Sequence, residues 1–192
     1  MTTDERTLRI LAAAMELAEQ DGFEAVRLRD LAAKADVALG TVYKRFTSKE
    51  DILAAALALQ VDRIQEQITR HPITGDDPET RLKTFFAMAT TALAHQPKLA
   101  GAMLRTVASG EPELSEKVSR YHGQMTEIIL QVYRGTAGDA FPTEEEQILA
   151  HLLQNVWFAA LVGWTGGLHA PEVAVEHVHN AVHLLLKGLE AS

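Results

Sequence analysis

Residues 35–46 read Ala35-Asp36-Val37-Ala38-Leu39-Gly40-Thr41-Val42-Tyr43-Lys44-Arg45-Phe46. Asp36-Val37 is a tight turn, and a short helix follows over 38–46. Val42 and Phe46 lie one helical turn apart and face a core. Gly40, Thr41 and Lys44 then project from the opposite side, flanked by Tyr43 and Arg45. Upstream, Leu28, Leu31, Ala32 and Ala35 form the buried face of a second short helix. A longer helix precedes both, with Leu8, Leu11, Ala12, Met15 and Ala18 on one stripe, running to about Gln20. Thr2 and Glu5 read as its capping box, and Gly22 supplies a left-handed residue at its end. Two short helices joined by a tight turn, behind a longer one, form the helix-turn-helix pattern of DNA-binding proteins.

The rest of the chain is punctuated in the same way. Ser48 and Asp51 read as a second capping box, opening a long fourth helix that carries Leu53, Leu57, Ile64 and Ile68. Residues 71–78 form a linker in which Asp77 caps, and Pro78 pre-sets, a fifth helix over 79–95. Pro97 opens a sixth helix that stops near Ser109-Gly110. Pro112 opens a seventh, with Val118, Tyr121, Met125, Ile128 and Val132 on one stripe. After a loop over 135–142, Thr143 and Glu146 make a third capping box for an eighth helix reaching about Trp164. Gly166-Gly167 breaks it, and Pro171 opens a ninth. No run of alternating β-branched residues lies between turns. The expected fold is all-α with about nine helices. An N-terminal three-helix DNA-binding domain spans 1–48, and a helical ligand-binding and dimerisation domain spans 49–192, with the fourth helix as connector.

Composition bounds the function. Of 192 residues, 47% are apolar and 23% charged, an ordinary globular balance. There is no cysteine, which excludes disulfides, thiolate metal sites and a cysteine nucleophile. The polar, acidic N-terminus lacks the apolar region of a signal peptide, and apolar runs are interrupted well before the ~20 residues of a membrane span. A cytoplasmic protein with no membrane partner is expected. The net charge of −8 is uneven: residues 1–50 hold eight Lys/Arg against nine Asp/Glu, and residues 37–49 hold Lys44, Arg45 and Lys49 with no acid. A local basic patch on a near-neutral domain can bind phosphates while an acidic body stays in solvent.

Four segments carry a family resemblance: Gly22-Phe23-Glu24-Ala25, Leu28-Arg29-Asp30-Leu31-Ala32, the stretch quoted first, and Ser48-Lys49-Glu50. Together they closely resemble the signature of the TetR family of transcriptional regulators over about the first fifty-five residues. The divergent all-helical remainder matches that family's layout. Residues 35–41 and 97–125 resemble the branch that represses sterol-catabolism genes. The resemblance implies a homodimer that binds double-stranded operator DNA and responds to a small molecule.

Residue chemistry suggests a role for each position on the short helix. Gly40 lets the backbone approach the duplex, and Thr41 can hydrogen-bond a phosphate or base edge. Leu39 can meet a thymine methyl. Arg45 and Arg29 suit a bidentate guanine contact, worth about 1–3 kcal/mol of discrimination. Tyr43 and Lys44 suit phosphates, as does Lys49, which adds its charge to the helix dipole at the start of the fourth helix. The family's positions matching Tyr43 and Lys49 contact the DNA backbone. Three residues depart from its pattern. Asp36 stands where Gly is usual, and Asp tolerates the left-handed region better than most. Ala38 stands where Ser caps the helix, at a cost of about 1 kcal/mol. Arg27 replaces a small hydroxyl residue and can reach further to a phosphate.

In the body, the eighth helix is apolar on two sides, with Leu153, Trp157, Leu161 and Trp164 on one and Phe158 and Val162 on another. The resemblance implies that one side faces a ligand cavity and the other a partner subunit. Ligand-contacting candidates are Phe86, Met103, Tyr121, Met125, Trp157, Leu161 and Trp164, for an acyl-CoA, steroid or other lipid-like effector. Simple core packing is the competing reading for each. Dimer-interface candidates are Phe158, Val162, Val178, Val182 and Leu185. His179 and His183, with His177 nearby, have a metal-compatible spacing, but no carboxylate or cysteine completes a set. No metal, cofactor or enzymatic activity is expected, since no phosphate loop or catalytic triad order appears. The alternative is a helical small-molecule carrier or enzyme without a DNA role.

Overall fold

The computed structural model describes residues 3–135 and 141–190. The capping box expected at Thr2, and most of the loop expected over 135–142, lie outside these. Among the described residues the secondary structure is entirely helical: α1 (Thr3–Asp21), α2 (Leu28–Lys34), α3 (Leu39–Tyr43), α4 (Lys49–Arg70), α5 (Pro78–Ala94), α6 (Pro97–Val107), α7 (Ser115–Arg134), α8 (Glu144–Thr165) and α9 (Pro171–Glu190). Short 3₁₀ turns occupy Phe23–Ala25 and Pro112–Leu114. Pro112 therefore opens a 3₁₀ turn, and α7 itself begins three residues later.

The local signals act through identifiable bonds. Asp77 accepts the Thr80 amide at 2.8 Å and the Thr80 hydroxyl at 2.9 Å, with Pro78 in the first helical position. At α8, Thr143 and Glu146 cap each other reciprocally, at 3.2 and 2.8 Å. Gly22 has the positive φ expected of it, but its ψ of −170° is extended, so the chain leaves α1 straight into the 3₁₀ turn. Ser48 accepts the Asp51 amide at 3.1 Å, while the Asp51 carboxylate reaches past Ser48 to the Thr47 amide at 2.9 Å.

The chain parts into two compact units: residues 1–60 with 96–121, and residues 61–95 with 122–192. The position 48/49, where α4 begins and the domain boundary was expected, lies inside the first unit, which also takes in α4 as far as residue 60 and the whole of α6. The first unit has one apolar cluster. Ile10, Leu11, Ala14 and Ala18 of α1 meet Leu31 and Ala32 of α2, Val42, Phe46, and Ile52, Leu53 and Ala56 of α4. Leu99, Ala102 and Met103 of α6 complete it. Each large side chain in it contributes about 1.5–3 kcal/mol of burial. Two polar contacts fasten α6 to the end of α1: Lys98 donates to the Gln20 carbonyl, and the Leu99 amide donates to Glu19 at 3.1 Å.

In the second unit α9 packs on α8 and α5. Its core contains Phe85 and Phe86 of α5, Ile128 and Ile129 of α7, Leu153 and Leu161 of α8, and Val178 and Val182 of α9. Arg81 of α5 closes the end of α7 by donating to the carbonyls of Val132 (3.0 Å) and Tyr133 (2.6 Å), and to that of Gly75 (3.0 Å). By length and composition α8 is apolar enough to cross a membrane, unlike the sequence-based expectation of no such helix, yet nearly half of that stretch is buried in this unit. Burial of one side, with Leu149, Leu153, Trp157 and Leu161 inside the unit, accounts for part of that composition.

Candidate nucleic-acid interface

Helix α3 is held from behind. Val42 is fully buried and Phe46 nearly so, and the Phe46 amide donates to the Val42 carbonyl at 3.0 Å, continuing the turn past Tyr43. The tight turn before it depends on Asp36, whose φ is 50°. Among the described residues no other non-glycine has a positive φ. Arg9 of α1 braces this turn, donating to the Asp36 carbonyl at 3.2 Å and pairing with its carboxylate at 3.6 Å. Ala38 occupies the N-cap position in an extended conformation and supplies no side-chain bond. The first amides of α3 are therefore left without that cap.

The opposite face is open. Ala38, Gly40, Tyr43 and Lys44 are exposed, and Leu39, Thr41 and Arg45 half-buried. Tyr43 is 58% exposed. A Cβ added at Gly40 would meet nothing within 4 Å, so no packing inside the chain demands glycine there. Arg27 and Arg29 are exposed at the start of α2. Arg45 is more constrained than its neighbours: its Nε is buried without a hydrogen-bond partner.

Lys49 is engaged within the chain. Its Nζ lies 3.0 Å from Glu24 Oε2 and 4.0 Å from the centroid of the Phe23 ring. The other Glu24 oxygen lies 3.1 Å from Arg105 of α6, whose guanidinium carbon is 4.3 Å from the same ring. The hydrogen bond and charge of Lys49, with a lesser part from Arg105, hold the Glu24 carboxyl below its ordinary value. Nearby, Asp51 at the head of α4 is buried, and Lys117 of α7 donates to it. Burial alone would push the Asp51 carboxyl up. The bonds from Lys117 and Thr47 outweigh it and leave it below the usual range. Sequence reading missed Glu24, Arg105 and Lys117, because pairs 66 to 81 residues apart leave no periodic trace. The alternation of Phe23-Glu24 with distant cations has no local signal at all.

The expected ligand contacts divide between the two units. In the second, Phe86, Met125, Trp157 and Leu161 are buried and Trp164 half-buried. Phe86 and Trp157 stack at a tilt, with centroids 5.5 Å apart. The Trp157 indole donates to Thr90 at 2.9 Å, and Thr90 donates to the Phe86 carbonyl at 2.7 Å. Beside them Gln154 is buried, donating to His122 at 2.8 Å. Burial holds the His122 imidazole below its ordinary value, with the Gln154 bond opposing. Met103 and Tyr121 belong to the first unit. Met103 sits in the cluster around α1, and burial pushes the Tyr121 phenol up to about 12.

One expectation is corrected at the presumed partner face. Val178 and Val182 are wholly buried inside their own chain and have no surface to offer a second subunit. They lie on the stripe of α9 that meets α5 and α8. Phe158 and Leu185 are half-buried, and Val162 is 41% exposed. The outward apolar residues also include Ile148 and Leu152 of α8 and Leu184 of α9, the last 67% exposed. His179 and His183, considered as metal ligands, bond to α5 instead: His179 donates to the Lys83 carbonyl at 2.9 Å, and His183 lies 3.1 Å from Glu79.

Comparison with known proteins fits this geometry. Residues 10–56 match the family described as bacterial regulatory proteins, tetR family, and residues 75–185 match the tetracyclin repressor-like C-terminal domain. The HTH-type transcriptional repressor KstR of Mycobacterium tuberculosis is 32% identical over 183 residues, covering 95% of this chain and 81% of the relative. A TetR transcriptional regulator from Rhodococcus sp. RHA1 superposes with a TM-score of 0.84 at 27% identity, over 95% of this chain and 96% of that one. Thermus thermophilus FadR, a transcriptional repressor solved in complex with lauroyl-CoA, shares the fold, with a TM-score of 0.71 at 20% identity over 95% and 94% of the two chains.

Proposed function

We propose, from the premise that this chain belongs to the TetR family of bacterial regulatory proteins, that it represses transcription as a homodimer on a palindromic operator and is released by a small apolar or acyl-type effector. The observation that carries this reading is the two-sidedness of α3. Val42 and Phe46 anchor it, while Gly40, Tyr43 and Lys44 face solvent on the other side. Tyr43, Lys44 and Lys49 meet phosphates, Thr41 and Leu39 approach base edges at the start of the helix, and Arg29 and Arg45 read guanine. Arg27 extends the phosphate contacts on α2, and the small Ala38 lets the helix end come close to the duplex.

Two such helices must be presented together to read a palindrome, which a two-fold dimer supplies. The outward apolar residues of α8 and α9, among them Phe158, Val162 and Leu185, form the paired surface. The effector is an acyl-CoA, steroid or other lipid-like molecule, drawn to the aromatic-rich core of the second unit around Phe86, Met125, Trp157, Leu161 and Trp164. That FadR was solved with an acyl-CoA supports the acyl class. The effector acts only through its different affinity for the DNA-competent and DNA-incompetent states.

A salt titration on operator and random duplex tests this. Affinity for both should fall steeply with salt, as phosphate contacts require. An affinity indifferent to salt, or no binding to duplex at all, would leave the carrier reading standing instead.

A further inference from the structure

We propose that Arg105, which lies on α6 and outside the helix-turn-helix, sets the DNA affinity of Lys49 by competing with it for Glu24. The proposal rests on the reading of Lys49 as a phosphate contact. Three elements meet at this point: the 3₁₀ turn with Phe23 and Glu24, the first residue of α4, and the last turn of α6. One carboxylate serves two cations, with Glu24 Oε2 at 3.0 Å from Lys49 and Oε1 at 3.1 Å from Arg105. Both cations also lie against the Phe23 ring, at 4.0 and 4.3 Å from its centroid.

The electrostatics follow from counting charges. Glu24, Lys49 and Arg105 together carry +1, so a phosphate arriving at the head of α4 meets a positive group. Without Arg105, Glu24 and Lys49 form a neutral pair, and Lys49 must leave a full ion pair to reach a phosphate. Glu24 is therefore an internal rival of the DNA backbone, and Arg105 blunts that rivalry. The node is mostly exposed at Glu24 and Arg105, with 71% and 61% of their side chains in solvent, while Lys49 keeps only 23%. The lysine is thus held where its environment is most protein-like, and the partner's charge matters most there. The start of α6 is fastened to α1 through Lys98 and Leu99, and a displacement of its last turn, which carries Arg105, would change the charge seen at Lys49.

The test is a double-mutant cycle read as duplex affinity at fixed ionic strength, with thermal melts alongside. R105M should weaken binding about three- to tenfold, R105K should restore it, and E24Q alone should strengthen binding about two- to fivefold. In E24Q/R105M the penalty of losing Arg105 should largely vanish, and this double variant keeps the readout available if R105M folds poorly. K49M should reduce the salt slope by about one and make the Glu24 and Arg105 changes silent. Equal penalties for R105M in both backgrounds overturn the competition while leaving the Lys49 contact intact. A K49M protein that binds as tightly as the parent overturns the phosphate reading and the competition with it.

Discussion

A methyl group placed on Gly40 would meet nothing inside the chain, so this position separates stability from recognition. Gly40→Ala should raise stability by about 0.5–1 kcal/mol, since alanine loses less backbone entropy in a helix. It should also weaken operator binding about tenfold or more if the backbone comes close to the duplex there. Melting curves and fluorescence anisotropy check both, and undiminished binding would remove the close-approach argument. Asp36 gives the complementary case. Its φ of 50° is one that glycine adopts without a Cβ penalty. Asp36→Gly should stabilise by about 1 kcal/mol, or about 2–4 °C in Tm for a chain of this size. The lost ion pair to Arg9 subtracts little, being largely exposed.

At the level of elements, the bond from Lys117 to Asp51 ties α7 to the head of α4, and its signature is a pH dependence. The Asp51 carboxyl sits below its ordinary value of 3.8 in the folded chain. Its contribution is therefore complete above that value and disappears as pH falls through the folded-state value. Lys117→Met should lower Tm at pH 7, and the gap from the parent should shrink below about pH 4 as Asp51 protonates in both. A gap that stays constant across that range would assign the loss to the contact of Lys117 with the Phe46 ring, whose centroid lies 5.8 Å from its Nζ. What was legible in the sequence divides along the same line. Asp77, Thr143 and Glu146 announce their helices because capping partners lie three residues apart. Asp51 was half-read: Ser48 took its expected role, but the carboxylate turned to Thr47 and Lys117. The face of α9 was misread because both sides are apolar. Val178 and Val182 against Leu184 and Leu185 offer two stripes of similar hydropathy, and only α5 and α8 decide which is covered. The outward side of α3 was legible because its chemistry is concentrated within seven residues.

For the whole molecule, the outward apolar residues of α8 and α9 and the operator reading stand or fall together. A Val162→Glu/Leu184→Glu variant places charges on residues already 41% and 67% exposed, so its fold should survive. It should elute as a monomer by light scattering, lose binding to a palindromic site by about a hundredfold or more, and keep weak, salt-sensitive binding to random duplex. A variant that remains dimeric would move the interface elsewhere. The docking of α6 onto α1 has a further consequence for anyone who dissects the gene. Leu99, Ala102 and Met103 fill the back of the DNA-binding cluster, so a product ending at residue 60 is born with that wall missing. It should be degraded in cells and aggregate when purified, whereas a fusion joining 1–60 through a short tether to 96–121 should resist trypsin. In this chain the apolar backing of the reader head is drawn from two distant stretches of the gene.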